Sequence, residues 1–187
     1  DKLDIDSYIK LIHFHMENGT NGLVPAGTTG ESPTLSHDEH QKVIDLCIQE
    51  SKGKLPVIAG TGSNSTEEAI SLTSHAEKAG ANAALIVTPY YNKPTQEGLY
   101  QHFKAIAEAV PVPLIPYNVP GRTSCDMLPK TVERFLDIKN IVAIKEAIGD
   151  LDRIKQLVDI CGGKINILSG DDLTAKEALL LGGKGVI

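Results

Sequence analysis

Lys145 closes the run Ile141-Val142-Ala143-Ile144, and Glu146 follows it. A run of branched apolar residues ending in a lysine reads as a buried parallel strand with an amine at its C-terminal tip. In a barrel of parallel strands that tip is where chemistry is done. Apolar surroundings disfavour the charged form of an amine. Its pKa can fall from about 10.4 to roughly 7–8, which makes it a nucleophile able to form a Schiff base with a ketone. A strand-end lysine can equally snorkel to water. The other strand ends decide between the two readings.

An earlier strand runs into Gly27-Thr28-Thr29-Gly30-Glu31-Ser32. Two glycines allow a tight turn there, and the hydroxyls and amide N–H groups between them can cradle a carboxylate. An unliganded Gly-rich turn has the same composition. Tyr90 and Tyr91 follow Val87-Thr88-Pro89, and adjacent tyrosines also serve as core or interface aromatics. Tyr117 ends a further strand, with Asn118-Val119-Pro120-Gly121-Arg122-Thr123 behind it. That puts a phenol at the mouth and a guanidinium close by, the natural fork for a substrate carboxylate. Gly170, Asp171 and Asp172 follow the last long strand, where the two acids are expected to cap a helix.

These positions need a scaffold of strands. The expected strands are 22–26, 56–60, 84–88, 112–117, 141–145 and 165–169, with a last one starting at 185–187. Between them apolar residues fall at helical spacing, as in Val43, Ile44, Cys47 and Ile48. Ser36 with Glu39, and Ser65 with Glu68, have capping-box spacing, and Gly19, Gly53, Gly80 and Gly162 sit where helices should end. No linker divides the chain, so residues 1–187 are expected to form one α/β domain. Polar residues at almost every strand end favour a (β/α)8 barrel over a doubly wound sheet. A complete barrel needs about 250 residues. The chain is therefore expected to be a fragment lacking the first strand and the last helix.

Composition narrows the partners. A net charge of −6 without a basic run argues against nucleic acid, and no apolar stretch is long enough to span a membrane. Cys47, Cys125 and Cys161 are odd in number and far apart, which favours reduced thiols in a cytoplasmic protein. His37 and His40 lie one helical turn apart, but no third ligand accompanies them, so no metal is expected.

Taken together, the segments Gly27–Ser32, Val87-Thr88-Pro89-Tyr90-Tyr91-Asn92, Tyr117–Thr123, Ile144-Lys145-Glu146-Ala147 and Leu168-Ser169-Gly170-Asp171-Asp172 resemble the dihydrodipicolinate synthases. These are the 4-hydroxy-tetrahydrodipicolinate synthases of the class I aldolase/lyase superfamily, which also includes N-acetylneuraminate lyase. The resemblance runs the length of the chain and implies that the family's C-terminal helical extension is missing from it as well. Pro120-Gly121-Arg122-Thr123 points to the synthases rather than the sugar-acid lyases.

The resemblance implies a cofactor-free condensation of pyruvate with L-aspartate 4-semialdehyde. Lys145 would carry the Schiff base, and Thr28, Tyr117 and Tyr91 would relay protons, with Tyr91 acting in the neighbouring subunit. Thr29 would hold the pyruvate carboxylate and Arg122 that of the semialdehyde, with the carbonyls of Gly170 and Ile187 lining the site. It further implies a homotetramer, built as a dimer of dimers, and inhibition by L-lysine at Ser32, His37, His40, Asn64, Glu68 and Tyr90. Pro33 and Ile148 depart from the family pattern, each beside a functional segment rather than in it. Two other readings compete: a neuraminate or 2-keto-3-deoxy-sugar-acid lyase, and a non-catalytic sensor on the same fold. Arg122 weighs against the first, and the pairing of Lys145 with Tyr117 against the second.

Overall fold

Short runs of small and branched apolar residues form the strands, and amphipathic segments form the helices between them. The structure, a computed structural model, describes residues 2–187. Helix α1 (Ile5–Glu17) leads to α2 (His37–Ser51), then β1 (Ile58–Gly60), α3 (Thr66–Ala79), β2 (Ala83–Val87), α4 (Gln96–Ala109) and β3 (Leu114–Asn118). Two short helices follow, α5 (Pro120–Thr123) and α6 (Pro129–Arg134). The chain continues through β4 (Ala143–Glu146), α7 (Leu151–Cys161), β5 (Asn166–Ser169), α8 (Ala175–Leu180) and β6 (Gly185–Val186).

All strand pairs are parallel, and the six strands lie in chain order from β1 to β6. Side chains alternate between two layers, as strand geometry requires. Leu85, Ile115, Tyr117 and Ala143 face one interior cluster, while Ile86, Leu114, Ile144 and Ile167 pack outward against the helices through Leu99, Phe103, Ile106 and Leu157. Val24, before the first strand, and Ile187, after the last, both pack on the inner cluster. The sheet is therefore curled: a partial (β/α)8 barrel with the helices outside.

Two expected strands are altered. Segment 22–26 makes only a single bridge, Leu23 to Val57, although Gly60 N–H also donates to the Pro25 carbonyl at 2.9 Å. Pro25 has no N–H to give to a ladder, and Ala26 turns into left-handed backbone at φ 53°. The stretch 141–145 is interrupted as well. Leu114 bridges Ile141, but Tyr117 pairs with Lys145, so one extra residue has entered the second strand. Val142 and Ala143 both pack inward there. This is a bulge, and it decides which way Lys145 points.

The caps also depart in part from expectation. Ser36 and Glu39 form the full capping box. Ser65 receives the Glu68 N–H, but the Glu68 carboxylate goes to Ser63 and His37 instead of returning to the cap. Asp171 accepts from Thr174 N–H at 3.0 Å just before α8, whereas Asp172 makes no capping bond. Outside the inner cluster, His102 is buried between α3 and α4 with Thr66 on its Nδ1, and burial pushes its pKa down to about 4. No helix among the described residues is long and apolar enough to cross a membrane.

Candidate active site

The ends of β3 and β4 bring Tyr117 and Lys145 together. They are register partners on adjacent strands, and the Lys145 amine stands 4.2 Å from the centroid of the Tyr117 ring. Burial holds the amine below the ordinary lysine range, Asp172 opposes that shift, and the Arg122 charge adds to it. Burial pushes the Tyr117 phenol up, while Arg122 and the Thr28 hydroxyl pull it back. An amine biased toward its neutral form faces a phenol biased toward keeping its proton. That is the pairing required by a nucleophile beside a proton donor.

Gly170 makes room for the lysine. A β-carbon there would lie 2.6 Å from Lys145 Cε. Gly60 does the same for the loop after residue 26, since a β-carbon on it would lie 2.1 Å from the Ala26 carbonyl oxygen. Only glycine lets segment 22–26 run this close to β1 and deliver Thr28 to the site. In the turn itself left-handed backbone falls on Ala26 and Glu31, and neither Gly27 nor Gly30 has positive φ.

A cavity of about 410 Å³ opens beside Tyr117, with Thr28 and Arg122 also in its wall, while Lys145 stands behind Tyr117 and does not line it. Arg122 projects from α5, a helical turn that Pro120 starts at its first position. Thr29 is exposed in the turn after Thr28. Ile187 is half-buried on the inner cluster and donates its N–H to Ser169 at 2.9 Å. Tyr91 is not brought into the site. It is 88% exposed, on left-handed backbone at φ 71°, and does not line the cavity.

The same cavity is walled by Ser32, His37, His40, Glu68 and Tyr90, five of the six residues expected to bind an effector. The sixth, Asn64, lies just behind and donates to the Tyr90 carbonyl at 3.2 Å. His37 Nε2 meets Glu68 Oε1 at 2.8 Å, and Ser63 donates to the other carboxylate oxygen. The Ser63 bond and His37 hold the Glu68 carboxyl below its usual range, although burial opposes them. His40 is buried, its Nε2 2.8 Å from the Gly60 carbonyl, and its Nδ1 has no partner. Burial lowers its pKa, and with Nε2 donating to that carbonyl the unpartnered Nδ1 is a buried acceptor.

One group of polar residues escaped the sequence reading. Glu146 is buried, and both its carboxylate oxygens accept from Asn118, at 3.2 and 3.0 Å. Asn118 also donates to Asp126 at 2.9 Å, and Arg153 forks onto Asp126 at 3.0 and 2.9 Å. Two carboxyls share one guanidinium. Arg153 holds Asp126 low, whereas burial pushes Glu146 up to about 7. Strand alternation was the available signal, since a glutamate next to an inward lysine must point outward under the helices.

Comparison with known proteins assigns the family. The model of the dihydrodipicolinate synthetase family matches residues 1–187. The chain belongs to the dihydrodipicolinate synthetase family. Among its relatives, the 4-hydroxy-tetrahydrodipicolinate synthase of Pelagibacter ubique is 66% identical over 187 residues, which is 100% of this chain and 64% of that one. The dihydrodipicolinate synthase of Acinetobacter baumannii, chloride inhibited and complexed with pyruvate, has a TM-score of 0.98 at 57% identity. That match covers 99% of this chain and 64% of the other. The family member from Cyanidioschyzon merolae, solved with lysine bound, has a TM-score of 0.96 at 41% identity, covering 100% and 63%. The chain thus spans under two thirds of the length of these synthases.

Proposed function

We propose that the protein condenses pyruvate with L-aspartate 4-semialdehyde to give 4-hydroxy-tetrahydrodipicolinate, a lyase step of diaminopimelate and lysine biosynthesis. The observation that carries this reading is the half-buried Lys145 amine, shifted toward its neutral form and set against Tyr117. The neutral amine attacks the ketone carbon of pyruvate, and loss of water leaves a protonated imine. That imine is an electron sink, so a methyl proton is lost and an enamine forms. The enamine carbon attacks the aldehyde of the semialdehyde. The semialdehyde's own amine then displaces Lys145, closing the ring and freeing the enzyme.

Tyr117, backed by Thr28, moves the protons, because a raised phenol pKa suits donation and relay better than strong-base chemistry. Thr29 and the amides of its turn hold the pyruvate carboxylate, and Arg122 forks onto that of the acceptor. The carbonyls of Gly170 and Ile187 complete the wall. Tyr91 supplies the third relay hydroxyl to a neighbouring subunit, a role that fits its outward projection. The active form is then a homotetramer, a dimer of dimers, in the cytoplasm. L-lysine binds at Ser32, His37, His40, Asn64, Glu68 and Tyr90 and inhibits. The carboxylate of Glu68 and the free nitrogen of His40 suit a ligand ammonium group.

The deciding assay is acceptor choice. The protein should consume pyruvate only when aspartate semialdehyde is supplied. Turnover of N-acetylneuraminate or a 2-keto-3-deoxy-sugar acid at a higher rate would reject this function for a lyase of the same superfamily.

A further inference from the structure

The catalytic pair stands on a short seam in the middle of the sheet, matched only by the seam between β5 and the terminal β6. Four register pairs join β2 to β3, and four join β4 to β5. Only two join β3 to β4: Tyr117 with Lys145, and Asn118 with Glu146. Two causes are visible. Pro116 has no N–H for a ladder, and the bulge at Val142 and Ala143 has already shifted the pairing by one residue. A slip of one residue turns every later side chain to the opposite face. In β4 that exchange would put Lys145 under the helices and Glu146 in the interior.

Side chains take over where the ladder is short. The second register pair is also bonded side chain to side chain, because the Asn118 amide donates to both oxygens of Glu146. Beyond β4, Glu146 Oε1 accepts the Ile148 N–H at 3.1 Å, which fixes the chain as it leaves the strand. Beyond β3, Asn118 Oδ1 accepts the Met127 N–H at 2.9 Å. Arg153 anchors the group from α7 through Asp126 and lies 3.7 Å from Glu146 Oε2. None of these groups touches the cavity.

We propose that Glu146 and Asn118 are positioning residues, which lock the bulged β4 against β3 so that the Lys145 amine is held over Tyr117. As a statement about catalysis this rests on the Schiff-base reading of Lys145. As a statement about where the amine sits it does not. A merely structural network would cost stability and leave the lysine unchanged. A positioning network controls the lysine's burial and therefore its reactivity.

Two measurements on Glu146→Gln and Glu146→Ala separate these cases. Glu146→Gln keeps the volume and the Ile148 bond but sets an amide donor against that of Asn118. Leu157→Ala, a buried change under α7, serves as the control for lost stability. Acetic anhydride labelling across pH, read by mass on the Lys145 peptide, gives the midpoint of the amine without any substrate. Borohydride with pyruvate gives the trapping rate. Both Glu146 variants should move the labelling midpoint up, toward the ordinary 10.5 of lysine. Trapping should slow about a hundredfold, the effect of displacing a reacting group by about 1 Å. Leu157→Ala should do neither at an equal or larger loss of Tm. An unchanged midpoint in both Glu146 variants overturns the proposal, as does an equal shift in Leu157→Ala. Parent protein that labels normally but is never trapped by pyruvate counts against the Schiff-base reading, and the midpoint shift still decides the positioning role.

Discussion

Gly170→Ala should impair chemistry far more than stability. A β-carbon at 170 would stand 2.6 Å from Lys145 Cε, 3.2 Å from Lys145 Cγ and 2.9 Å from Ala147 Cβ. Carbon atoms rest at about 3.5–4.0 Å, so the lysine stem has to retreat by about 1 Å. Gly170 does not have positive φ, so alanine brings no backbone strain of its own. The lysine stem is flexible but the Ala147 β-carbon moves only with the backbone, so the overpacking costs about 1–2 kcal/mol. In a domain of this size that lowers Tm by roughly 2–8 °C. The effect on the amine is larger. A misplacement of about 1 Å slows a positioned reaction about a hundredfold, or about 2.7 kcal/mol in the barrier. The assay is the rate of pyruvate-dependent inactivation by borohydride, with a melting curve alongside. Trapping at the parent rate would show that Lys145 has room to spare and that the contact argument is wrong. So would a Tm fall of tens of degrees, which would make Gly170 a folding residue first.

Three further outcomes follow from the same geometry. Arg122→Ala should raise the KM for aspartate semialdehyde roughly 10–100-fold, the loss of a charge-assisted bond of about 1.5–3 kcal/mol, while leaving pyruvate trapping intact. Equal loss of both steps would make Arg122 structural. L-lysine should bind measurably by calorimetry and lose that binding in Glu68→Ala. Unchanged affinity there would remove Glu68 from the effector site. Burial sets folded His102 low and folded Glu146 high. Stability from neutral His102 is lost as pH falls from 6.5 to about 4, and that from protonated Glu146 is lost as pH rises from 4.5 to about 7, each by roughly 3 kcal/mol. His102→Asn should therefore show a urea midpoint that rises as pH falls toward 4.5, and Glu146→Gln one that drops steeply. Parallel profiles would refute the pair.

Local pattern carried the sequence reading a long way. Branched apolar runs located six strands, and a lysine or tyrosine at the end of a run marked a site end. What escaped depended on partners distant in sequence. Lys145 and Tyr117 were legible as two strand ends, but their contact is set by the register between β3 and β4. The bulge at Val142 and Ala143 leaves no trace in composition, because both are ordinary strand residues. The group around Glu146 joins a strand, a loop and a helix, and no fixed spacing links Asn118, Asp126 and Arg153. The short helices α5 and α6 have too few residues for helical periodicity to show, and Pro120 and Pro129 at their first turns are their only local sign. In the turn after segment 22–26 left-handed φ falls on Ala26 and Glu31, residue types that carry no local sign of it.

The proposed function stands or falls on covalent attachment of pyruvate to Lys145. Borohydride added with pyruvate, followed by digestion and mass mapping, tests it directly. The expected result is a mass increment of pyruvate less water plus two hydrogens on the peptide containing Ile144-Lys145-Glu146, absent without pyruvate and absent in Lys145→Ala. Label on another lysine, or normal turnover by Lys145→Ala, would contradict it.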